Sequence, residues 1–303
     1  MTFAPLTHHL QDQWANLLAT CFDRQPEHMQ CLLTWLYGLG EMIAWGAWEH
    51  DQLVGQYSCL LRPVRVGETR LLAGMSINMA VHPDWRGRGL VKQMARPVYE
   101  RLQEYGGTLG IGFSNAAGVN VDRHSQQYHY QVIGQMQSMI GPLRSHRVAP
   151  LQLSDHLPAF DSSVISGSAH FEKSARYFQQ RYLAHPFRSY RYAVWLEADE
   201  TMGLVIYRDI GMSGVALLDA WGVDLPELLK RWSTTLRRLG KRFVHVLATP
   251  SSNLRCALSQ ITPLIKLPYT RNPHYLTVKP LTESLPASLL DFQSWDCVGG
   301  DVL

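Results

Sequence analysis

The sequence predicts a mixed α/β fold made of two similar units. Helical apolar spacing over Leu10–Cys21 and Met29–Leu39 is followed by alternating runs that are typical of antiparallel strands. The order strand, helix, glycine and strand then occurs twice, at residues 75–113 and 215–249. A chain of 303 residues is long for one compact domain and comfortable for two, which agrees with the repeat.

The strands of the first half are predicted to form two hairpins and one further strand. Ile43–Trp48 is expected to pair with Leu53–Leu61. Val64–Val66 is expected to turn into Thr69–Ala73, and Met75–Val81 follows as a separate apolar strand. This last strand leads directly into a loop rich in arginine and glycine.

A helix is predicted after this loop, because apolar residues recur at every fourth position and so share one face. These residues are Leu90, Met94, Val98 and Leu102. Pro97 removes one backbone hydrogen bond, and since the apolar pattern continues past it, we expect a kink and not a helix end. Gly106 and Gly107 end the helix, and Thr108–Phe113 forms the next strand.

The second half repeats this order of elements. A helix is predicted over Pro226–Leu239, starting after Asp224. The predicted strands are Tyr190–Leu196, Met202–Tyr207, Val215–Trp221 and Arg242–Thr249. A stretch containing Pro and Ser precedes these elements, so we place the first unit at residues 1–145 and the second at 146–303.

Composition excludes several classes of function. The net charge is +3, and the basic residues are scattered, which does not indicate nucleic-acid binding. The five cysteines are far apart and lack a Cys-x-x-Cys pair, so we expect free thiols and a cytoplasmic protein. No apolar run approaches the roughly 20 residues that span a bilayer. No zinc-type spacing occurs, and we predict no metal site.

The loop between the strand Met75–Val81 and the following helix has the composition of a phosphate-binding turn. Residues 74–90 read GMSINMAVHPDWRGRGL. Gly87 and Gly89 allow the chain to curl with its N–H groups inward, and the following helix adds unpaired donors at its N-terminus. The spacing fits neither the nucleotide P-loop nor the dinucleotide fingerprint, which require other glycine positions.

Arg86-Gly87-Arg88-Gly89-Leu90-Val91 resembles the pyrophosphate loop of the GNAT N-acetyltransferase superfamily, although Val91 replaces a small residue. The preceding Val81-His82-Pro83-Asp84-Trp85 strengthens the match. The resemblance implies the acyl-CoA N-acyltransferase (GNAT) fold and acetyl-CoA as co-substrate. The cofactor contacts that it implies are Met79, Ala80, Val81, Arg86, Gly87, Arg88, Gly89, Leu90, Val91 and Asn115. His82 is expected to shape the loop, and Asn115 to tether the pantetheine or cap a helix.

The second unit is predicted to be a degenerate copy of the first. Its connection, Trp221–Leu225, has no arginine-glycine curl. Asp224 stands where a phosphate would lie, and its charge would repel a polyphosphate. We therefore expect two tandem GNAT-like units with one cofactor site.

The catalytic residues are less clear from the resemblance. The family's carboxylate on the fourth strand is absent from residues 76–79, and Ser125 stands at its tyrosine position. We assign Tyr128 as the candidate acid and His124 as the candidate base or substrate contact. The alternative is that Tyr128 and Tyr130 are core aromatic residues and that His124 is a solvated helix residue.

The flanks resemble tandem GNAT proteins of bacterial polysaccharide and lipopolysaccharide biosynthesis. The resemblance rests on Phe178–Pro186 followed by Tyr190, and on Gly300-Asp301 near the end. It implies a small-molecule amine as acceptor, most simply an amino sugar. Six polar residues are candidates for an acceptor pocket or for an interface between the units: His170, Glu172, Arg181, Tyr182, His185 and Arg188.

Other functions stay open at this point. The acceptor is alternatively the amine of a protein or an antibiotic. A non-catalytic scaffold that binds acyl-CoA would also explain the loop, together with the missing carboxylate on the fourth strand. The sequence makes no prediction about the oligomeric state.

Overall fold

The computed structural model describes residues 1–119, 130–158, 168–268, 270 and 272–302. Its helices are α1 (Gln11–Phe22), α2 (Pro26–Leu39), α3 (Leu90–Glu104), α4 (Ala175–Phe178), α5 (Leu225–Arg238) and α6 (Asn253–Ile261), and a π-helix over Gln179–Leu183 continues α4. Its strands are β1 (Thr2–Pro5), β2 (Met42–Glu49), β3 (Gln52–Val66), β4 (Thr69–Val81), β5 (Leu109–Ser114), β6 (Gln131–Gln135), β7 (Gln137–Pro142), β8 (Gln152–Ser154), β9 (His170–Phe171), β10 (Arg191–Glu197), β11 (Glu200–Ile210), β12 (Gly214–Gly222), β13 (Phe243–Ala248), β14 (Ile265–Lys266) and β15 (Tyr275–Pro280).

Two mixed sheets share one strand order. The first runs β1-β2-β3-β4-β5-β15-β6, and the second, read in the same sense, runs β8-β10-β11-β12-β13-β7-β14. In each sheet the fourth and fifth strands are parallel, and one helix joins them: α3 between β4 and β5, and α5 between β12 and β13. The predicted α/β class and its two similar units are therefore confirmed.

The two compact units interleave along the chain. The first contains the described residues of Met1–Val64, Thr69–Ile133 and Tyr275–Leu290, and the second contains the rest. The sequence predicts a single boundary after residue 145. In the structure, β7 lies before this boundary but belongs to the second unit, and β15 lies after it but belongs to the first. The reason is that β5 needs a partner on its outer edge, and β15 supplies it along its whole length with buried Leu276 and Val278.

Helices cover both faces of the first sheet. α1 and α2 pack on one face through Trp14, Leu18 and Leu33, and α3 packs on the other. Leu90, Met94, Val98 and Leu102 are all buried, as their spacing predicted. Adjacent residues of β3 point to opposite faces, as the strand period requires: Leu53 contacts the α1–α2 cluster and Val54 the α3 cluster.

β3 and β4 are longer than the sequence predicted. Each of the two strands was expected to be interrupted, yet β3 is continuous over Gln52–Val66 and β4 over Thr69–Val81. Gly74 lies inside β4 because there is no room for a side chain: a Cβ there would lie 2.5 Å from Leu102 Cδ2. Glycine at this position reflects the close approach of α3 and does not mark a turn.

Candidate functional site

The first sheet opens between β4 and β5. Their parallel pairing runs from Ala73 opposite Leu109 to Ser76 opposite Gly112 and ends there. Both strands continue beyond this pair, to Val81 and Ser114 respectively. We call the opening between Ile77–Val81 and Phe113–Ser114 the first fork.

A bend at Asn78 lies at the start of the first fork. Asn78 has a φ of 49°, in the left-handed region that Asn tolerates better than most residues. Two buried side chains of β3 hold this bend: Gln56 Nε2 donates to the Asn78 carbonyl, and Ser58 Oγ donates to the Ile77 carbonyl at 3.0 Å. The sequence analysis missed Asn78, and an asparagine inside an apolar strand was the available signal.

The predicted residues Met79, Ala80 and Val81 follow this bend on the edge of the fork. Ala80 is buried against the α1–α2 cluster, whereas Met79 and Val81 pack against the α3 cluster. Their backbone lies beyond the last residue that pairs with β5. This edge of β4 is therefore not used by β5 at the three positions where the resemblance places the pantetheine arm.

The loop after β4 curls as the glycine spacing predicted. Gly87 and Gly89 have φ values of 77° and 70°, and no atom lies within 4 Å of a Cβ placed on either residue. α3 begins at Leu90, and no side chain caps its N-terminus. The first-turn N–H groups of α3, beginning with those of Leu90 and Val91, thus have no side-chain cap and lie at the positive end of the helix dipole.

Arg86 and Arg88 stabilise the loop through hydrogen bonds and also give it positive charge. Arg86 Nε donates to the Val81 carbonyl at 3.1 Å, and an Arg88 Nη donates to the Asp84 carbonyl at 3.1 Å. The Arg88 guanidinium also lies 4.3 Å from the ring centroid of Trp85. Both cations remain exposed beside the two glycines, so they contribute positive charge to the open side of the loop.

Two neighbouring residues support the same loop. His82 Nδ1 accepts from the Asp84 N–H at 3.4 Å and caps the short 3₁₀ turn Pro83–Trp85, which is the structural role expected for it. Cys21 of α1 contacts Arg86; burial raises the pKa of its thiol, and the nearby cation partly opposes that rise.

Asn115 ends the β5 side of the fork. Its Oδ1 accepts from the Gly118 N–H at 2.9 Å, and its carbonyl accepts from the Val119 N–H at 2.9 Å. The side chain thus caps the turn that follows β5, one of the two roles the sequence suggested. The candidate catalytic residues His124 and Tyr128 lie outside the described residues.

A buried cluster of hydroxyl groups lies on the α3 side of the first fork. The Tyr99 hydroxyl bonds to those of Tyr57 and Tyr130, which are themselves 3.5 Å apart. Ser76, the last residue of β4 that pairs with β5, bonds to the Tyr57 hydroxyl. Burial raises the pKa of all three phenols, so they stay protonated at neutral pH. Gly110 leaves space for the cluster: a Cβ there would lie 2.8 Å from Tyr130 Oη.

The residues suggested for an acceptor pocket make structural contacts inside the second unit. Arg181 and Tyr182 are buried, and Arg181 donates to the carbonyls of Gly300 and Val302. Glu172 forms an ion pair with Arg65 at 2.6 Å. His185 Nδ1 accepts from the Phe187 N–H at 3.1 Å. The His170 ring bonds to the Ser168 carbonyl at 2.8 Å.

Within the described ranges, no three His, Cys, Asp or Glu side chains are grouped so that they could hold a metal ion. Among the helices of those ranges, none has both the length and the apolar character needed to cross a bilayer.

Comparison with known proteins agrees with this geometry. Residues 2–119 match the family model of the acetyltransferase (GNAT) domain. Over these residues the chain is similar to a GNAT domain. The matched residues include both sides of the first fork, the arginine-glycine loop and α3, which agrees with the resemblance seen in the sequence. The narrower polysaccharide type stays a prediction.

Solved structures show the same fold over almost the whole chain. A GCN5-related N-acetyltransferase from Anabaena variabilis has a TM-score of 0.69 at 12% identity, covering 93% of this chain and 73% of its own. One from Kribbella flavida has a TM-score of 0.65 at 12% identity, covering 92% and 71%. Eis1 from Mycobacterium abscessus has a TM-score of 0.60 at 13% identity, covering 91% and 73%. No curated protein matches the sequence significantly.

Proposed function

We propose that the protein is an acetyl-CoA-dependent N-acyltransferase that acetylates a primary amine of a small molecule. One observation carries the proposal: the fork beside β4 leads to an uncapped helix N-terminus behind two glycines with open space around them. Backbone N–H groups at the start of a helix bind phosphate through hydrogen bonds and the helix dipole. A carrier that combines a diphosphate with a narrow amide-containing arm suits both features.

The residues present fit coenzyme A. Arg86 through Val91 would hold the pyrophosphate, with the N–H groups as donors and the two arginines as counter-charges. The edge of β4 over Met79–Val81 would hold the pantetheine arm, with Asn115 at the opposite side of the fork. When bound, acetyl-CoA supplies an acetyl group activated as a thioester.

The chain itself must supply the proton transfers. Residues 76–79 carry no carboxylate that could act as a base. The phenols of the hydroxyl cluster stay protonated, so they cannot accept a proton from an ammonium substrate at neutral pH. These hydroxyls can only donate or relay hydrogen bonds. His124 remains the candidate base or substrate contact and Tyr128 the candidate acid, both as predictions from the sequence.

An amino sugar is the proposed acceptor, and only the resemblance of the flanks supports this choice. Arg181 and Tyr182 are engaged in buried contacts and are not available to bind a sugar. The test is thiol release from acetyl-CoA against a panel of amino sugars, sugar nucleotides, aminoglycosides and peptides, with product mass analysis. Turnover with peptides or aminoglycosides alone would overturn the sugar assignment, and tight binding without turnover would favour the scaffold.

The carrier site is tested separately by isothermal titration with coenzyme A. We expect Gly89→Asp to weaken binding at least tenfold, because a carboxylate would stand at the start of α3 where phosphate is expected. Gly89→Asn is the matched control, since Asn has the same shape and also tolerates a positive φ. Equal affinities for the two variants would contradict a phosphate site at this loop.

A further inference from the structure

The second sheet has a fork at the equivalent position. The parallel pairing of β12 with β13 runs from Gly214 opposite Phe243 to Leu217 opposite Val246 and then ends. Both strands continue, to Gly222 and Ala248. Counting from the last pair in each sheet, Leu218 stands where Ile77 stands in the first unit, and Leu247 where Phe113 stands. We call this opening the second fork.

The second fork is filled by the chain's own C-terminal region. The Gly300 N–H donates to the Leu218 carbonyl of β12 at 2.9 Å. On the other side, the Thr249 N–H donates to the Cys297 carbonyl at 2.9 Å, and Val298 forms an antiparallel bridge with Ala248. We call Cys297–Asp301 the tail segment. It therefore bonds to both diverging strands.

Gly299 lies between the two strands. A Cβ on this residue would lie 3.6 Å from Leu247 Cβ and 3.7 Å from Leu218 Cδ2. At Gly300 the fit is tighter, because a Cβ would lie 2.0 Å from Tyr182 Oη and 2.8 Å from Asp219 Oδ2. The second fork thus holds a tight turn of the main chain, in which the Asp301 N–H donates to the Val298 carbonyl at 2.9 Å. It has no room for a side chain at residue 300.

A buried ionic network fastens the tail segment. Lys173 Nζ lies 2.9 Å from Asp219 Oδ2 and 3.0 Å from Asp301 Oδ1. Tyr182 donates to Asp219 at 3.0 Å, and Arg181 Nε donates to the Gly300 carbonyl at 3.1 Å. Burial disfavours the Lys173 cation, but the two carboxylates outweigh it and hold its pKa above the ordinary value.

The two sequence motifs of the flanks meet at this point. Arg181 and Tyr182 come from the segment before β10, and Gly300-Asp301 comes from the end of the chain, yet they form one buried cluster. Their shared feature is contact with the tail segment. Fastening this segment explains both motifs without an acceptor pocket.

We propose that the second fork is a peptide-binding cleft whose ligand is the chain's own tail segment. This proposal rests on the proposed function: the tail segment occupies the position in the second unit that the pantetheine arm would occupy in the first, so each chain binds one acyl carrier. The start of α5 supports this, because Asp224 Oδ1 already accepts the Glu227 N–H at 2.9 Å and closes the N-terminus to phosphate.

The test is amide hydrogen exchange of the full-length chain, read by mass spectrometry over residues 295–302. We expect Gly300→Ala to speed exchange there at least tenfold, because the added methyl group collides with Tyr182 and Asp219. Gly299→Ala is the matched control, since its methyl group makes only ordinary contacts, and it should exchange as the wild type does. Unchanged protection in Gly300→Ala, or equal effects of the two variants, would overturn the proposal.

Two further variants guard against general unfolding as the cause. Tyr182→Phe combined with Gly300→Ala removes the oxygen that makes the shortest contact, so protection should recover in part. Asp301→Asn keeps the shape but removes the charge paired with Lys173, and it should speed exchange in residues 295–302 while α1–α3 keep their protection. Loss of protection across the whole chain in Asp301→Asn, or no change in it, would count against a fastened tail segment.

Titration with coenzyme A then measures how many carriers each chain binds. One equivalent per chain supports the proposal that the tail segment excludes a carrier from the second fork, and two equivalents would overturn it. No binding at all would refute the proposed function of the first unit, while the exchange result still decides whether the tail segment occupies the second fork.

Discussion

The two forks have the same place in the same strand order, and they differ in what lies between their strands. In the second, the tail segment bonds to both edges, through the Gly300 N–H on one side and through Cys297 and Val298 on the other. In the first, β4 carries a bend at Asn78 and no described strand pairs with β4 on that edge beyond Ser76. The fold provides the opening in both units, and the local sequence decides whether the chain itself fills it.

The helix that follows each fork differs in the same way. α3 starts behind Gly89 without a side-chain cap, so its N–H donors are left for an anion. α5 starts behind Asp224, whose carboxylate takes the place of that anion, and Pro226 has no N–H to offer. A helix N-terminus is thus either a binding site or a capped structural end, depending on one residue.

The largest expected effect is on the network under the second fork. Lys173→Met would leave Asp219 and Asp301 buried without their cation, and we expect it to lower the free energy of unfolding by about 3–5 kcal/mol. Urea denaturation of the full chain measures this. Arg96→Met, which breaks the exposed pair with Glu100, is the control and should change little. A small effect of Lys173→Met would mean that the network does not stabilise the second unit.

The next effect is a loss of stability at Gly110, which packs against tyrosines beside the first fork as Gly300 packs against Tyr182 beside the second. Gly110→Ala would place a methyl group 2.8 Å from Tyr130 Oη and 2.9 Å from Tyr99 Cε1. Such overpacking costs about 1–3 kcal/mol, which thermal or urea unfolding would detect. Gly40→Ala, where the nearest atom is 3.5 Å away, should be close to neutral. Equal effects at the two glycines would show that the hydroxyl cluster adapts freely.

A smaller effect is expected at the cap of α5. Asp224→Ala removes the acceptor for the Glu227 N–H, and loss of an N-cap costs about 1 kcal/mol. Affinity for coenzyme A should not change, because the first fork does not depend on this cap. A changed affinity, or a second binding event in titration, would break the distinction between the two helix starts.

The last expected effect is a pH dependence of stability in the second unit, which appears only below about pH 6.5. Burial, reinforced by Arg188 and Arg181, lowers the pKa of His185 to about 4, and its Nδ1 accepts the Phe187 N–H only when the ring is neutral. The unfolded chain binds this proton near pH 6.5 and the folded chain only near 4. His185 therefore destabilises the fold as the pH falls through this interval, and its contribution is fully present above it.

His185→Gln keeps an acceptor but cannot be protonated. The fall in melting temperature between pH 6.5 and 4 should thus be smaller in this variant than in the wild type. The exposed His9→Gln serves as the control and should follow the wild type. Identical pH profiles for all three proteins would show that His185 is not held neutral by its surroundings.

Much of the fold followed from local patterns. The apolar positions of α3 are buried as their spacing predicted, and Asp224 caps α5 as expected from its position. The loop glycines adopt the positive φ values that their spacing favoured. Each of these features depends on residues within one or two turns of one another, which is the range over which periodicity and capping act.

The sequence by itself thus determined the elements, the repeat and the phosphate-type loop. Tertiary structure decided the rest: the return of β15 to the first sheet, the bend that Gln56 holds at Asn78, the hydroxyl cluster around Tyr99 and the tail segment in the second fork. These contacts join residues that are far apart in the chain. Which residues contact one another depends on the space and the polar groups that remain once the elements have packed, and local sequence patterns do not specify this.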